Sequence, residues 1–212
     1  MAASISQLLS GPFRNFIPAS TRASMAAAAA LIDPTKDAGT PNGTGVTAEE
    51  MGTRGFHKTK LTLVNTPVVL ADNAGVVAYG SLKLYDFPAG LIVFNGATMD
   101  LALTKSSTGV NADWDGDIAL GTVAANNGAT LATTEQDLIP TTATPQAVGG
   151  VTTGDGKSTA TEIGDPFDGT STAVDLFLNI LIDDADHDVT GTACNIIANG
   201  TITFAWTLLG DI

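Results

Sequence analysis

The C-terminal stretch Thr172–Ile212 constrains the fold more than any other part of the chain. From Val174 to Ile182 every second residue is apolar (Val174, Leu176, Leu178, Ile180, Ile182), with Asp175, Asn179 and Asp183 between them. A period of two belongs to a β-strand with one face buried. After the acidic turn Asp183-Asp184-Ala185-Asp186-His187-Asp188, a second alternation sets Ile202, Phe204, Trp206 and Leu208 against Thr201, Thr203, Ala205 and Thr207. Two such rows at the end of the chain predict core strands there.

The same alternation recurs upstream. Leu61 and Leu63 alternate with Lys60 and Thr62. In the run Val76 to Tyr85, one face carries Tyr79, Ser81, Lys83 and Tyr85, the other Ala78, Leu82 and Leu84. Met99, Leu101 and Leu103 alternate with Asp100 and Ala102. The pairs Asn95-Gly96, Asn127-Gly128 and Asn199-Gly200 separate apolar runs, and Asn-Gly in that position is a strong hairpin signal. The Thr-, Gly- and Asp-rich residues 134–172 read as a long surface loop with one short strand near Gln146–Val151. Eight to ten short strands and no long helix predict an all-β fold, an antiparallel β-sandwich of jelly-roll type over residues 55–212.

Residues 1–54 read as an extended N-terminal arm. Ser4 and Gln7 form a capping box for a short helix that Gly11-Pro12 stops, and Ser20 or Thr21 caps a second through the alanine run to Ile32. Residues 33–46 are Gly/Pro linker, and Thr47 with Glu50 offers another capping box over one turn. Arg14, Arg22, the serines and the absence of acid before Asp33 also give the beginning of the arm the look of a targeting peptide. Two short helices cannot bury a core of their own, so Ile5, Leu8, Leu9, Phe13, Phe16 and Ile17 are candidate contact residues with a neighbouring copy or another protein.

The net charge of −13 is unevenly spread. Residues 1–60 sum to +2, while from residue 61 onward Lys83, Lys105 and Lys157 alone oppose the carboxylates, a balance of −15. Such a body repels phosphate, which argues against nucleic-acid binding. No apolar run reaches membrane-spanning length. Cys194 is the only cysteine, so no disulfide within the chain is possible, and its apolar setting suggests a small buried side chain.

Each motif with chemical potential has a plainer reading. Asp113-Trp114-Asp115-Gly116-Asp117 opens like a calcium loop, but Ile118 and Ala124 stand where such a loop needs glycine and glutamate, so it reads as a solvated hairpin turn. The metal candidates are Asp183, Asp184, Asp186, His187 and Asp188, against a solubilising inter-strand turn. Gly149 to Ser158 approaches a phosphate-binding loop but lacks its first glycine and a following helix, leaving a glycine loop. Only Cys194 with His187 offers a nucleophile–base pair, and His57 lies at the junction of arm and body. Trp114, between aspartates, reads as an exposed aromatic. Trp114, Phe177 and Leu181 are candidate contact residues of the body, unless a loop or the arm covers them.

Several segments resemble small virion proteins of tailed bacteriophages: Tyr85-Asp86-Phe87-Pro88-Ala89-Gly90, Asp115 to Gly121, Asp168-Gly169-Thr170, Leu176-Phe177-Leu178-Asn179, Asp183-Asp184-Ala185-Asp186, and the ending Gly200 to Trp206 with Leu209-Gly210-Asp211. The likeness covers residues 60–212 and is to head decoration or cement proteins. It implies a jelly-roll body, a homo-oligomer with the trimer favoured, the major capsid protein as partner, a place on the capsid's outer surface, and no enzymatic activity or cofactor. The alternatives are a head-fibre or tail component of the virion, a carbohydrate-binding or adhesion module that would use Trp114, Tyr79 and Tyr85, and, third, a hydrolase.

Overall fold

A computed structural model describes residues 38–53, 55–72, 77–126, 128–183 and 194–209, with Asp72 and Asp183 described for their backbone alone. The helices expected within residues 1–37 lie outside the described residues.

Eleven strands account for the described structure: β1 Thr40–Pro41, β2 Val46–Thr53, β3 Phe56–Asp72, β4 Val77–Asp86, β5 Leu91–Lys105, β6 Asp117–Gly121, β7 Ile139–Ala143, β8 Val151–Lys157, β9 Pro166–Asp168, β10 Asp175–Asp183 and β11 Cys194–Leu208. Every pairing is antiparallel, and the main path runs β7-β6-β10-β4-β3-β11-β5-β8. The sheet curls until its end strands β7 and β8 lie against one another, so that it is nearly a closed barrel. Among the described residues the only helical turn is the 3-10 segment Thr133–Glu135.

The expected core rows hold. Leu176, Leu178, Ile180 and Ile182 of β10 and Ile202, Phe204 and Trp206 of β11 are buried, together with Met99, Leu101 and Leu103 of β5 and with Cys194. Their inward side chains form one continuous apolar cluster. Burial of this apolar area is the main force closing the barrel.

The Asn-Gly pairs do something other than expected. Asn95-Gly96 and Asn199-Gly200 lie inside single strands, β5 and β11, each 15 residues long. Both mark β-bulges: Asn95 is the extra residue where Ala205 pairs with Gly96 and Trp206 with Phe94, and Val64 and Asn65 of β3 together face Asn199. In the first bulge Gly96 (φ 117°) supplies the positive φ; in the second the doubled residues are on β3, where Asn65 has φ 50°, and Gly200 (φ 137°) lies on the facing strand. A bulge and a tight hairpin ask for the same glycine backbone, and the local sequence does not tell them apart. Asn127 lies outside the described residues, and the described residues on either side of it, 122–126 and 128–132, carry no strand.

Three further expectations are corrected. Residues 46–53, read as linker and helical turn, are the strand β2, paired with β3 from Val46↔Leu63 to Thr53↔Phe56; β1 pairs with β4. The sheet therefore includes residues 40–53, which the sequence places in the arm. The glycine loop at 149–158 is mostly the strand β8, and residues 134–172 contain β7, β8 and β9 rather than one strand.

The early strands fill a gap. β3 and β4 pair only at Leu70–Asp72 with Ala78–Gly80 and then part. β1 lines the β4 side of the opening and β2 the β3 side.

Candidate functional site: a buried carboxylate cluster and two surface grooves

Where β3 and β4 part, a chain of donors converges on one carboxylate. The period-two pattern of β2 turns Val46 and Ala48 toward the core, and Glu50 follows on the same side, its side chain only 8% exposed. Glu50 Oε1 accepts the Tyr85 hydroxyl of β4 at 2.7 Å, and Oε2 accepts the Thr59 hydroxyl of β3 at 3.0 Å. Trp206 Nε1 of β11 donates to Thr59 Oγ1 at 3.0 Å, and the Gly39 amide donates to the Tyr85 oxygen at 2.8 Å. Four strands and the segment entering β1 are thereby joined through one ionisable group.

Aromatic rings enclose the cluster. His57 is fully buried, stacks on Trp206 with ring centres 4.0 Å apart and planes 9° from parallel, and holds Nδ1 3.9 Å from Glu50 Oε2. Phe87 and Phe204 meet Tyr85 edge-on at 5.3 and 5.2 Å. Burial, reinforced by Glu50, pushes the Tyr85 phenol far above its ordinary value, so it stays protonated and donates. Each Glu50 oxygen is already engaged by a hydroxyl, so the arrangement works as a tether.

A second buried polar group fastens the loop that covers the outer face of β10. Asn179, fully buried, accepts from Ser81 Oγ at 2.6 Å and the Ala125 amide at 2.9 Å, and donates to the carbonyls of Val123 and Glu135 at 3.0 and 2.7 Å. Glu135 in turn accepts the amides of Asn126 and Ala132. Beneath this loop Val77, Ala119, Leu131 and Leu181 form a separate small apolar cluster.

These arrangements decide the body's candidate contact residues. Trp114 is not an exposed aromatic: it is fully buried in the main core and donates from Nε1 to the Gly150 carbonyl at 3.2 Å. Residues 144–150 lie over it, with Ala147 and Thr144 hydrogen-bonded to the carbonyls of Trp114 and Gly116, so residues 113–117 are not a solvated turn. Leu181 is 4% exposed, packed with Leu131 and Ala125 of the covering segment. Phe177, half-buried and paired with Gly121 and Lys83, keeps part of its ring at the surface. The arm candidates Ile5, Leu8, Leu9, Phe13, Phe16 and Ile17 lie outside the described residues.

The metal candidates Asp184, Asp186, His187 and Asp188 also lie outside the described residues, and Asp183 is described only as the backbone partner of Val77. The fold brings the other aspartate run to the same end of the barrel, since Asp117 pairs with Leu181. A groove of about 360 Å³ there is lined by Asp115, Gly116, Asp117, Thr130, Thr144 and Leu181. Among the described residues, no group of three or more His, Cys, Asp or Glu side chains could hold a metal ion. Cys194 is buried opposite Leu70.

A larger groove, about 540 Å³, opens at the seam between the end strands, where Met99 meets Pro140 and Thr142 of β7 and Asp155, Gly156 and Lys157 of β8. It has an apolar floor and one charge of each sign at its edge.

The sequence reading missed the Glu50 cluster. The signal was present: Val46, Ala48 and Glu50 alternate with Thr47 and Glu49, which places Glu50 on the inward row of a strand. No protein-family model matches the chain, and no curated protein matches it. No helix among the described residues is long and apolar enough to cross a membrane.

Proposed function

We propose that this protein is a non-enzymatic structural component of a phage virion, a decoration or cement protein that binds the major capsid protein on the outer surface of the head. In this reading the barrel is a jelly-roll body, assembled as a homo-oligomer with a trimer favoured, and the N-terminal segment reaches along the shell. The observation that carries the proposal is the way the chain enters the barrel. The Gly39 amide is bound to Tyr85, Asn42 to Leu84 and Asp86, and Tyr85 to Glu50, so the chain enters the barrel at a fixed point. A load on the N-terminal segment passes into four strands through a buried carboxylate, as a protein that staples subunits together requires.

Three other features support the reading. The segments that resemble virion decoration proteins lie in the body. Its acidic balance suits a surface that has no need of DNA. Burial of Ile5, Leu8, Leu9, Phe13, Phe16 and Ile17, with the half-buried Phe177, across joints between capsid subunits would oppose expansion or rupture of the shell. The carbohydrate-adhesion alternative draws less support, because Trp114 and Tyr85 are fully buried and only Tyr79 of its three aromatics keeps any surface.

The deciding experiment is to locate the protein in purified particles and to heat particles with and without it. Many copies spread over the shell, with heat resistance lost in their absence, are expected. Density confined to one vertex or to the tail would move the assignment to a fibre or tail component, and equal resistance without the protein would overturn the cement mechanism.

A further inference from the structure

We propose that Asn42-Gly43 is a self-modifying joint whose deamidation unlatches β1, and with it the N-terminal segment, from the barrel. The Gly43 backbone nitrogen attacks the Asn42 side-chain carbonyl carbon and gives up its proton to solvent; the carbon–nitrogen bond of the amide breaks and ammonia leaves. Water then opens the cyclic imide to aspartate or to isoaspartate.

The chain has four Asn-Gly pairs, at Asn42, Asn95, Asn127 and Asn199. Asn127 lies outside the described residues, and the fold sets Asn42 apart from the other two. Asn199 sits within the β11 ladder and Asn95 in the bulge of β5, between Phe94 and Gly96 that pair with Trp206 and Ala205, and both side chains are engaged: Asn95 Nδ2 donates to Thr207 Oγ1 at 2.9 Å, and Asn199 Oδ1 accepts the Asn65 amide at 2.7 Å. Attack by the next backbone nitrogen would require those strands to open. Asn42 is exposed, in the turn between β1 and β2, and its side-chain nitrogen reaches Asp86 Oδ2 at 3.3 Å, long for a hydrogen bond.

The product would disturb the latch in two ways. A carboxylate at position 42 would join Asp86 and Asp175 around Lys83, the one cation that pairs with them among the described residues. Isoaspartate would also lengthen the backbone where there is no slack: Gly43 has φ 93°, and a Cβ there would come within 3.2–3.3 Å of Val46, Leu82 and the Lys83 carbonyl. β1 pairs through only two residues, Thr40 with Asp86 and Pro41 with Tyr85, so losing the bonds of Asn42 to Leu84 and Asp86 leaves it held by that short ladder and by the bond of the Gly39 amide to Tyr85.

The full-length protein, held in mildly alkaline buffer, is sampled for peptide mass mapping and for hydrogen exchange; the same protein unfolded in urea sets the intrinsic rate of each site. Asn42 is expected to lose its amide while Asn95 and Asn199 keep theirs, and exchange protection at Gly39 and Asn42 should be lost in step while β11 stays protected. Asn42→Gln, which keeps the amide but closes the ring far more slowly, should abolish both changes, and Asn42→Asp should show the charge effect without the longer backbone. The proposal is overturned if folded Asn42 keeps its amide for as long as Asn95 and Asn199 do, or if it converts with protection at Gly39 and Asn42 intact.

Discussion

Glu50 Oε1 accepts a 2.7 Å hydrogen bond from the Tyr85 hydroxyl across the opening where β3 and β4 part. The bond spans strands that make no ladder contact at that level, and the same Tyr85 oxygen accepts the Gly39 amide. Two parts of the molecule, the gap in the sheet and the point where the chain enters, therefore depend on one phenol.

Tyr85→Phe removes the hydroxyl while keeping the ring against Phe87 and Phe204. It leaves Glu50 Oε1 and the Gly39 amide short of a partner, which costs about 1–3 kcal/mol. Glu50→Gln alone is expected to cost less than Glu50→Ala, since the amide can still meet Tyr85 and Thr59. In urea unfolding, Tyr85→Phe combined with Glu50→Ala should cost clearly less than the sum of the two. Additive losses would show that the bond does not carry the closure.

The two bulge glycines and the turn glycines separate backbone strain from steric contact. At Gly200 a Cβ would lie 2.2 Å from the Asp100 carbonyl oxygen, with φ already 137°, whereas at Gly149, φ 63°, nothing lies within 4 Å. Gly149→Ala should cost only the left-handed backbone penalty, about 1–2 kcal/mol. Gly200→Ala should cost distinctly more, because β5 must move away, and the loss should appear as a lower urea midpoint. Similar losses for the two variants would mean that β5 gives way to the added methyl freely.

Where the fold was legible in the sequence and where it was not follows from the range of the interactions involved. Leu176 to Ile182 and Ile202 to Trp206 could be placed because a period of two is a local property that every buried strand must show. The Asn-Gly pairs misled because φ at Gly96 and Gly200 is positive in a bulge as in a hairpin; what distinguishes them is the partner strand. Thr47 with Glu50 has the spacing of a capping box, yet β2 is held as a strand by its pairing with β3, and the tertiary contact overrides the local preference. Trp114 looked exposed because its neighbours are aspartates, and it is covered by residues 144–150, about thirty positions away. Glu50 was the one omission that the local pattern could have repaired.

The acid side of the stability curve should depend on Asp86 more than on its neighbour Asp175, although both meet Lys83. Burial pushes Asp86 up, but the hydrogen bonds from Lys83, from Asp175 while that carboxyl keeps its proton, and from Asn42 outweigh it and hold its carboxyl below the ordinary aspartate value. Burial, with Asp86 adding to it, keeps Asp175 above that value despite Lys83. A depressed carboxyl contributes stability above its unfolded value, about 4, and that contribution disappears as pH falls through the folded value. A raised carboxyl does the reverse: its contribution is present on the acid side and disappears as pH rises through its folded value. At neutral pH Asp86 therefore holds the latch together while ionised Asp175 works against it. Asp86→Asn should lower the urea midpoint at neutral pH more than Asp175→Asn and should flatten the decline below about pH 4, whereas Asp175→Asn should leave that decline in place. Because both side chains are partly solvated the effects are small, and the slope against pH is the better readout than any single midpoint. Equal neutral-pH losses, or an unchanged acid decline in Asp86→Asn, would show that Lys83 and its two carboxylates do not govern how β1 is held.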